Sequence, residues 1–151
     1  MILEALLAYA HFAAILTVVV FMTSEAALCR PQWLNAEVVR RLGRVDAIYW
    51  GALAAVLFTG VARMAWGVKG LSWYAAQPLL QLKIALFVVI ALISLRPSRS
   101  FARWRRTLAA TGHLPEAAEL NAARRWVMIE SHLLVLLPLA AVFVARGAGT
   151  P

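Results

Sequence analysis

Four apolar runs, each near the length needed to cross a bilayer, decide what this chain can fold into. They cover roughly 2–28, 45–66, 78–95 and 126–145. About 20 apolar residues in a helix span the hydrocarbon core. A lone run in lipid must satisfy its own backbone groups, and a helix does so. The sequence therefore predicts an all-α, polytopic membrane protein: one integral-membrane domain over 1–151, built as a four-transmembrane-helix bundle. Its 63% hydrophobic content exceeds the roughly 45–50% of a soluble domain.

The charge fits the same reading. A net charge of +8 would suggest nucleic acid in a soluble chain, but here the basic residues sit between apolar runs. The first connection holds Arg30, Arg40, Arg41 and Arg44. The third holds Arg96, Arg99, Arg103, Arg105, Arg106, Arg124 and Arg125. The second holds only Lys69, with Arg63 at its edge. Loops rich in Arg and Lys stay in the cytoplasm. Connections one and three are expected there, with both termini on the periplasmic side of a bacterial inner membrane. The expected partners are the lipid bilayer and a larger membrane complex or homo-oligomer, not nucleic acid. Nothing basic precedes the first apolar run, which carries Glu4 instead, so it is expected to stay as a span rather than be removed as a leader.

The connections carry local signals. Asn35 is placed to cap a short helix through Val39. Between Ser98 and Leu108, Phe101, Trp104 and Leu108 share one face while Arg99, Arg103 and Arg106 share another. That predicts a short basic amphipathic helix lying on the anionic inner leaflet. Thr111-Gly112-His113-Leu114-Pro115 predicts a turn with a solvated His113. Pro115, Glu116 and Glu119 suit the positive end of the last helix. Trp66, Trp73 and Tyr74 fit an aromatic belt around the second connection. Cys29 is the lone cysteine, so no internal disulfide can form, and it reads as a small interfacial residue.

The first run carries ionisable residues where lipid makes them costly. Glu4, His11, Val18 and Glu25 are spaced by seven, which puts them in one stripe down a helix face. By helical rise, His11 lies about 13 Å and Lys83 about 7 Å from the periplasmic side. Arg63 ends the second helix on that side too. These three can meet in the outer half of one bundle. Glu25, Arg44, Asp46, Glu130 and His132 form a second set in the other half, where Glu25 and Glu130 are expected to pair with arginines. Two readings of His11 stay open: a neutral imidazole hydrogen-bonded to a neighbouring helix, or an axial ligand to a metal or heme. His132 is about 9 Å in from the cytoplasmic side by the same rise. With a core of about 30 Å it differs from His11 by about 8 Å in depth, so bis-histidine ligation is disfavoured. No phosphate loop, paired-cysteine site or hydrolase nucleophile motif is present, and the residues name no catalytic group.

Ala8-Tyr-Ala-His-Phe12, Gly67-Val-Lys-Gly70 with Trp73-Tyr74, and Pro78-Leu-Leu-Gln-Leu-Lys-Ile-Ala-Leu-Phe87 resemble a bacterial family of predicted four-helix membrane proteins of unknown function. The layout is more distantly similar to the HemJ-type protoporphyrinogen oxidases and the CopD-like copper-resistance membrane proteins. HemJ-type proteins hold b-type heme in a four-helix bundle, with a functional histidine on helix one and a lysine on helix three. His11 and Lys83 match those positions. Arg125 and Glu130 correspond to a motif on their last helix, although Ile129 stands where they carry Asn, and the late histidine of their third helix is missing here. The resemblance implies heme b or a related porphyrin bound for electron transfer. His11 would be the metal ligand, Lys83 and Arg63 would meet propionates, and His132 would be a further cofactor-binding candidate. Two alternatives are a HemJ-like protoporphyrinogen oxidase and a cofactor-free accessory subunit of a larger membrane complex.

Overall fold

A computed structural model describes residues 2–66 and 78–145. Among these all regular structure is helical: α1 (Ile2–Leu28), a 3-10 turn (Pro31–Trp33), α2 (Ala36–Trp66), α3 (Pro78–Thr111) and α4 (Ala117–Ala145). Each helix packs on the next in sequence, and α4 returns to α1. The four make a closed bundle. Among the described residues, α1, α2 and α3 are long and apolar enough to cross a membrane. The fourth expected span lies within α4. The second connection, with Lys69, Trp73 and Tyr74, and Arg146 near the C-terminus lie outside the described residues.

Two boundaries differ from the sequence expectation, and for the same reason. Asn35 does cap a helix, its side-chain carbonyl accepting from the Val38 amide at 2.9 Å. That helix does not stop at Val39; α2 runs unbroken for 31 residues. Likewise α3 does not end at Leu95 but continues through Pro97 for 34 residues. At about 1.5 Å per residue these helices reach roughly 46 and 51 Å. Both exceed a hydrocarbon core of about 30 Å. Hydropathy marks where a helix leaves lipid, not where its hydrogen bonding ends. The bundle therefore projects beyond the membrane at its arginine-rich end.

The core of the bundle continues into that projection. Cys29, Val39, Leu42, Phe101, Trp104, Leu120, Ala123 and Val127 are buried together. Phe101 and Trp104, expected to face lipid headgroups, are instead covered by protein, with their rings 5.5 Å apart. The short amphipathic helix of the third connection is thus the last third of α3, and its apolar face is bundle interior. Gly112 ends α3 with φ of +74°. Its amide bonds the Leu108 carbonyl at 3.0 Å, and that left-handed cap suits a residue without Cβ. The Glu116 carbonyl then accepts from the Glu119 and Leu120 amides to start α4. The opposite end shows large apolar side chains outward, among them Leu6, Tyr9, Phe12, Phe58 and Leu82, as a lipid-facing surface requires.

Candidate functional site

The α1 stripe predicted from the spacing of seven is the face turned inward. His11, Val18 and Glu25 are buried, joined by Ala14 and Met22. Glu4, at the helix start, is exposed. The two ionisable residues lead to two separate polar sites, one in each half of the bundle.

In the half away from the arginines, His11 is 8% exposed and faces α2. Thr59 donates its hydroxyl proton to the Ala55 carbonyl at 2.6 Å, so at 2.8 Å from His11 Nδ1 it accepts the imidazole proton. In the neutral ring this leaves the lone pair on Nε2. Gly60 makes the close approach possible: a Cβ there would sit 3.3 Å from His11 Cε1. Lys83 on α3 and Arg63 on α2 lie near enough to act electrostatically on the imidazole, and Arg63 acts on Lys83 in turn. Lys83 is half-buried and Arg63 exposed. The structure thus brings His11, Arg63 and Lys83 into one neighbourhood. His132 is elsewhere: exposed on α4, with Nδ1 2.6 Å from the Met128 carbonyl of its own helix.

In the arginine-rich half, Glu25 and Glu130 are 1% and 0% exposed, from α1 and α4. Each acts electrostatically on its surroundings together with Asp46 of α2. The expected arginine partners are not engaged. Among the described residues the ion pairs are Arg40–Glu37, Arg44–Glu37 and Arg103–Glu119, all on the exposed surface. Arg44 therefore belongs to Glu37, not to the buried set. Arg30 and Arg124 each have a buried Nε lacking a hydrogen-bond partner, and Arg124 acts on Cys29. Sequence proximity misleads here because arginines near a helix end extend outward to water. Arg30 also lies over the Trp33 ring at 5.1 Å.

The polar groups that line this second site were not singled out from sequence. Tyr49 and Ser94 share a buried hydrogen bond of 2.8 Å, and Ser94 donates onward to the Ile90 carbonyl. Trp50 Nε1 donates to Ser98 at 2.8 Å, and Ser98 donates to Asp46. Ser94 lies beside Glu130, yet both Glu130 oxygens remain without a hydrogen-bond partner. A signal was available: Ser94 and Ser98 are spaced by four, as are Asp46 and Trp50, so each pair marks one polar face on an otherwise apolar helix. Just outside the span, burial pushes the Cys29 thiol up to about 12, with nearby Glu25 adding to the effect.

Two apolar grooves complete the surface. One of about 270 Å³ is lined by Leu79, Leu82, Leu86, Leu136, Leu139 and Phe143. The other, of about 250 Å³, lies along Trp50, Leu53, Ala54, Leu57, Phe87 and Ala91. Neither is lined by His11. No group of three or more His, Cys, Asp or Glu arranged to hold a metal ion occurs among the described residues.

Comparison with known proteins gives one match. The family model described as predicted membrane protein (DUF2214) covers residues 3–149. No curated protein and no solved structure matches the chain.

Proposed function

Since the chain belongs to this family of predicted membrane proteins, we propose a function from its own site: a membrane-embedded module that holds the carboxylate or phosphate group of an anionic amphiphile against His11, Arg63 and Lys83. One observation carries this reading. The charged groups acting on His11 are Lys83 and Arg63, and the one acting on Lys83 is Arg63. Like charges drawn together in a poorly solvated place are stabilised by a counter-charge, and here that charge is negative. By the positive-inside rule the site occupies the periplasmic half of a bacterial inner membrane.

Heme b is the amphiphile that the sequence nominates. The donor chemistry suits it: an imidazole whose Nδ1 proton is held by Thr59 is oriented as metal-ligating histidines are. Space does not. The Cε1 edge lies against Gly60, and a macrocycle would require α1 and α2 to part. No electron-transfer or oxidase step is therefore assigned, and the reading rests on the basic trio.

The test is to purify the full chain in mild detergent from heme-replete cells, record its visible spectrum and identify co-purifying lipids by native mass spectrometry. An anionic species retained by the wild type and lost in the Arg63→Ala/Lys83→Ala double variant is expected. A Soret band lost in His11→Ala would identify that species as heme. Retention unchanged by the double variant, or no anionic species at all, would overturn the proposal.

A further inference from the structure

The arginine-rich half holds the mirror-image problem. Three carboxyl groups from three helices act on one another: Glu25 of α1, Asp46 of α2 and Glu130 of α4. Two of them have buried oxygens without a hydrogen-bond partner, Glu25 Oε1 and both oxygens of Glu130, although the Ser94 hydroxyl lies beside Glu130. An isolated buried carboxylate is among the most expensive groups a protein can hold; it is paired or neutralised. The described arginines do not pair with these two. The neighbouring hydroxyls do not neutralise Glu130, because the Tyr49 proton goes to Ser94 and the Ser94 proton to the Ile90 carbonyl.

We propose that Glu25 and Glu130 are a proton-binding pair in the bundle interior, loaded from the arginine-rich face through Asp46. The occupant is a proton rather than a divalent metal, since no trio arranged as metal ligands is found among the described residues. The groups facing the pair are Asp46 and Tyr49 from α2, Ser94 from α3 and Cys29 after α1, and Arg124 of α4 acts on Cys29. Asp46 is the connecting group. It is half-buried, accepts from Ser98 and feels the Arg105 guanidinium from the outer side. Arg105 itself lies across α2 at Gly43, where a Cβ would come 3.1 Å from Nη1. A proton arriving from water meets Asp46 first, and the buried glutamates lie inward of it. The transfer is of protons alone, from a solvent hydronium or buffer acid to a carboxylate oxygen and back, so no electron donor or co-reactant is needed. Asp46 is the relay group in this scheme; Glu25 and Glu130 are the binding groups.

The test is infrared difference spectroscopy of the full chain in lipid nanodiscs. At neutral pH a carbonyl stretch of protonated carboxyl groups is expected, moving on transfer to deuterium oxide. Glu25→Gln and Glu130→Gln should each remove part of it. Asp46→Asn should slow its exchange several-fold, an effect that a merely structural Asp46 would not produce. Should a Gln variant fail to fold, isotope-labelled glutamate in the wild type assigns the band without substitution. The proposal is overturned by the absence of the band at neutral pH, by its indifference to glutamate labelling, or by its appearance only after sodium and potassium are removed, which would make a metal cation the occupant. These outcomes are independent of whether the basic trio binds an anion.

Discussion

Tyr49 and Ser94 hold their hydroxyls 2.8 Å apart in the bundle interior, tying α2 to α3. The bond has a fixed direction, because Ser94 gives its one proton to the Ile90 carbonyl and so must accept from Tyr49. The two hydroxyls are therefore not equivalent. Tyr49→Phe removes a donor and leaves Ser94 bonded, at a cost of about 1 kcal/mol. Ser94→Ala strands the Tyr49 hydroxyl and costs about 1–3 kcal/mol. Thermal unfolding of both variants in detergent checks the order; a larger loss for Tyr49→Phe would contradict the assigned direction.

Gly60 and His11 make a second coupled pair. Gly60→Ala places a methyl group 3.3 Å from His11 Cε1. Displacing the ring from Thr59 costs about 1–3 kcal/mol, as overpacking does, which outweighs the roughly 1 kcal/mol gained in helix propensity. In a His11→Ala background the clash is gone and the same substitution stabilises. Stability measured on the double-mutant cycle should show this reversal of sign. Additive effects would mean that the ring does not sit against Gly60.

Cys29 should behave as an inert thiol in the folded protein. Its ordinary value of 9.0 is raised to about 12 by burial, so maleimide labelling near pH 8 should need unfolding. The same shift makes stability depend on pH. The unfolded chain releases the thiol proton above pH 9 while the folded one keeps it until about 12. Its contribution is intact below pH 9 and is lost as pH rises, by about 1.4 kcal/mol per unit within that window. Subtracting the alkaline unfolding profile of Cys29→Ala from that of the wild type isolates the slope, which should vanish below pH 9.

Phe101 distinguishes a helix packed in protein from one resting on lipid. It is fully buried in the projecting core, so Phe101→Ala should cost about 3–5 kcal/mol. Limited proteolysis should then open the α3–α4 turn. A leaflet-bound helix would lose membrane affinity instead and keep its fold.

The exposed pair Arg103–Glu119 should matter little. Breaking it with Glu119→Gln is expected to change stability by less than about 1 kcal/mol, and less still at high salt. A larger loss in a salt titration of the unfolding temperature would show that the pair orders the turn.

The legible parts of this fold are those where lipid leaves one solution. The apolar runs announced helices because a backbone in hydrocarbon must bond to itself. The stripe through His11, Val18 and Glu25 announced the inward face of α1, since only that face tolerates ionisable groups. The illegible parts depend on what covers a face. Phe101 and Trp104 form an apolar stripe whether lipid or α4 lies against it, and periodicity does not say which. Leu95 ends the hydropathy of α3, and Pro97 with the arginines behind it looks like a stop, yet the hydrogen bonding carries on. Glu25 and Glu130 have arginines close in sequence, but reach and direction belong to the rotamers. The hydroxyls of Thr59, Tyr49, Ser94 and Ser98 gain meaning only from the partner helix.

Because α3 runs as one helix from Lys83 through Pro97 and Ser98 to Trp104, it joins the two polar sites like a beam. One arm ends among the basic groups and the other lies against the carboxyl cluster. A small rocking of that beam as something docks beside Lys83 would shift Ser94 and Ser98 relative to Tyr49 and Asp46. The basic site and the carboxyl cluster thus share one helix as their common wall.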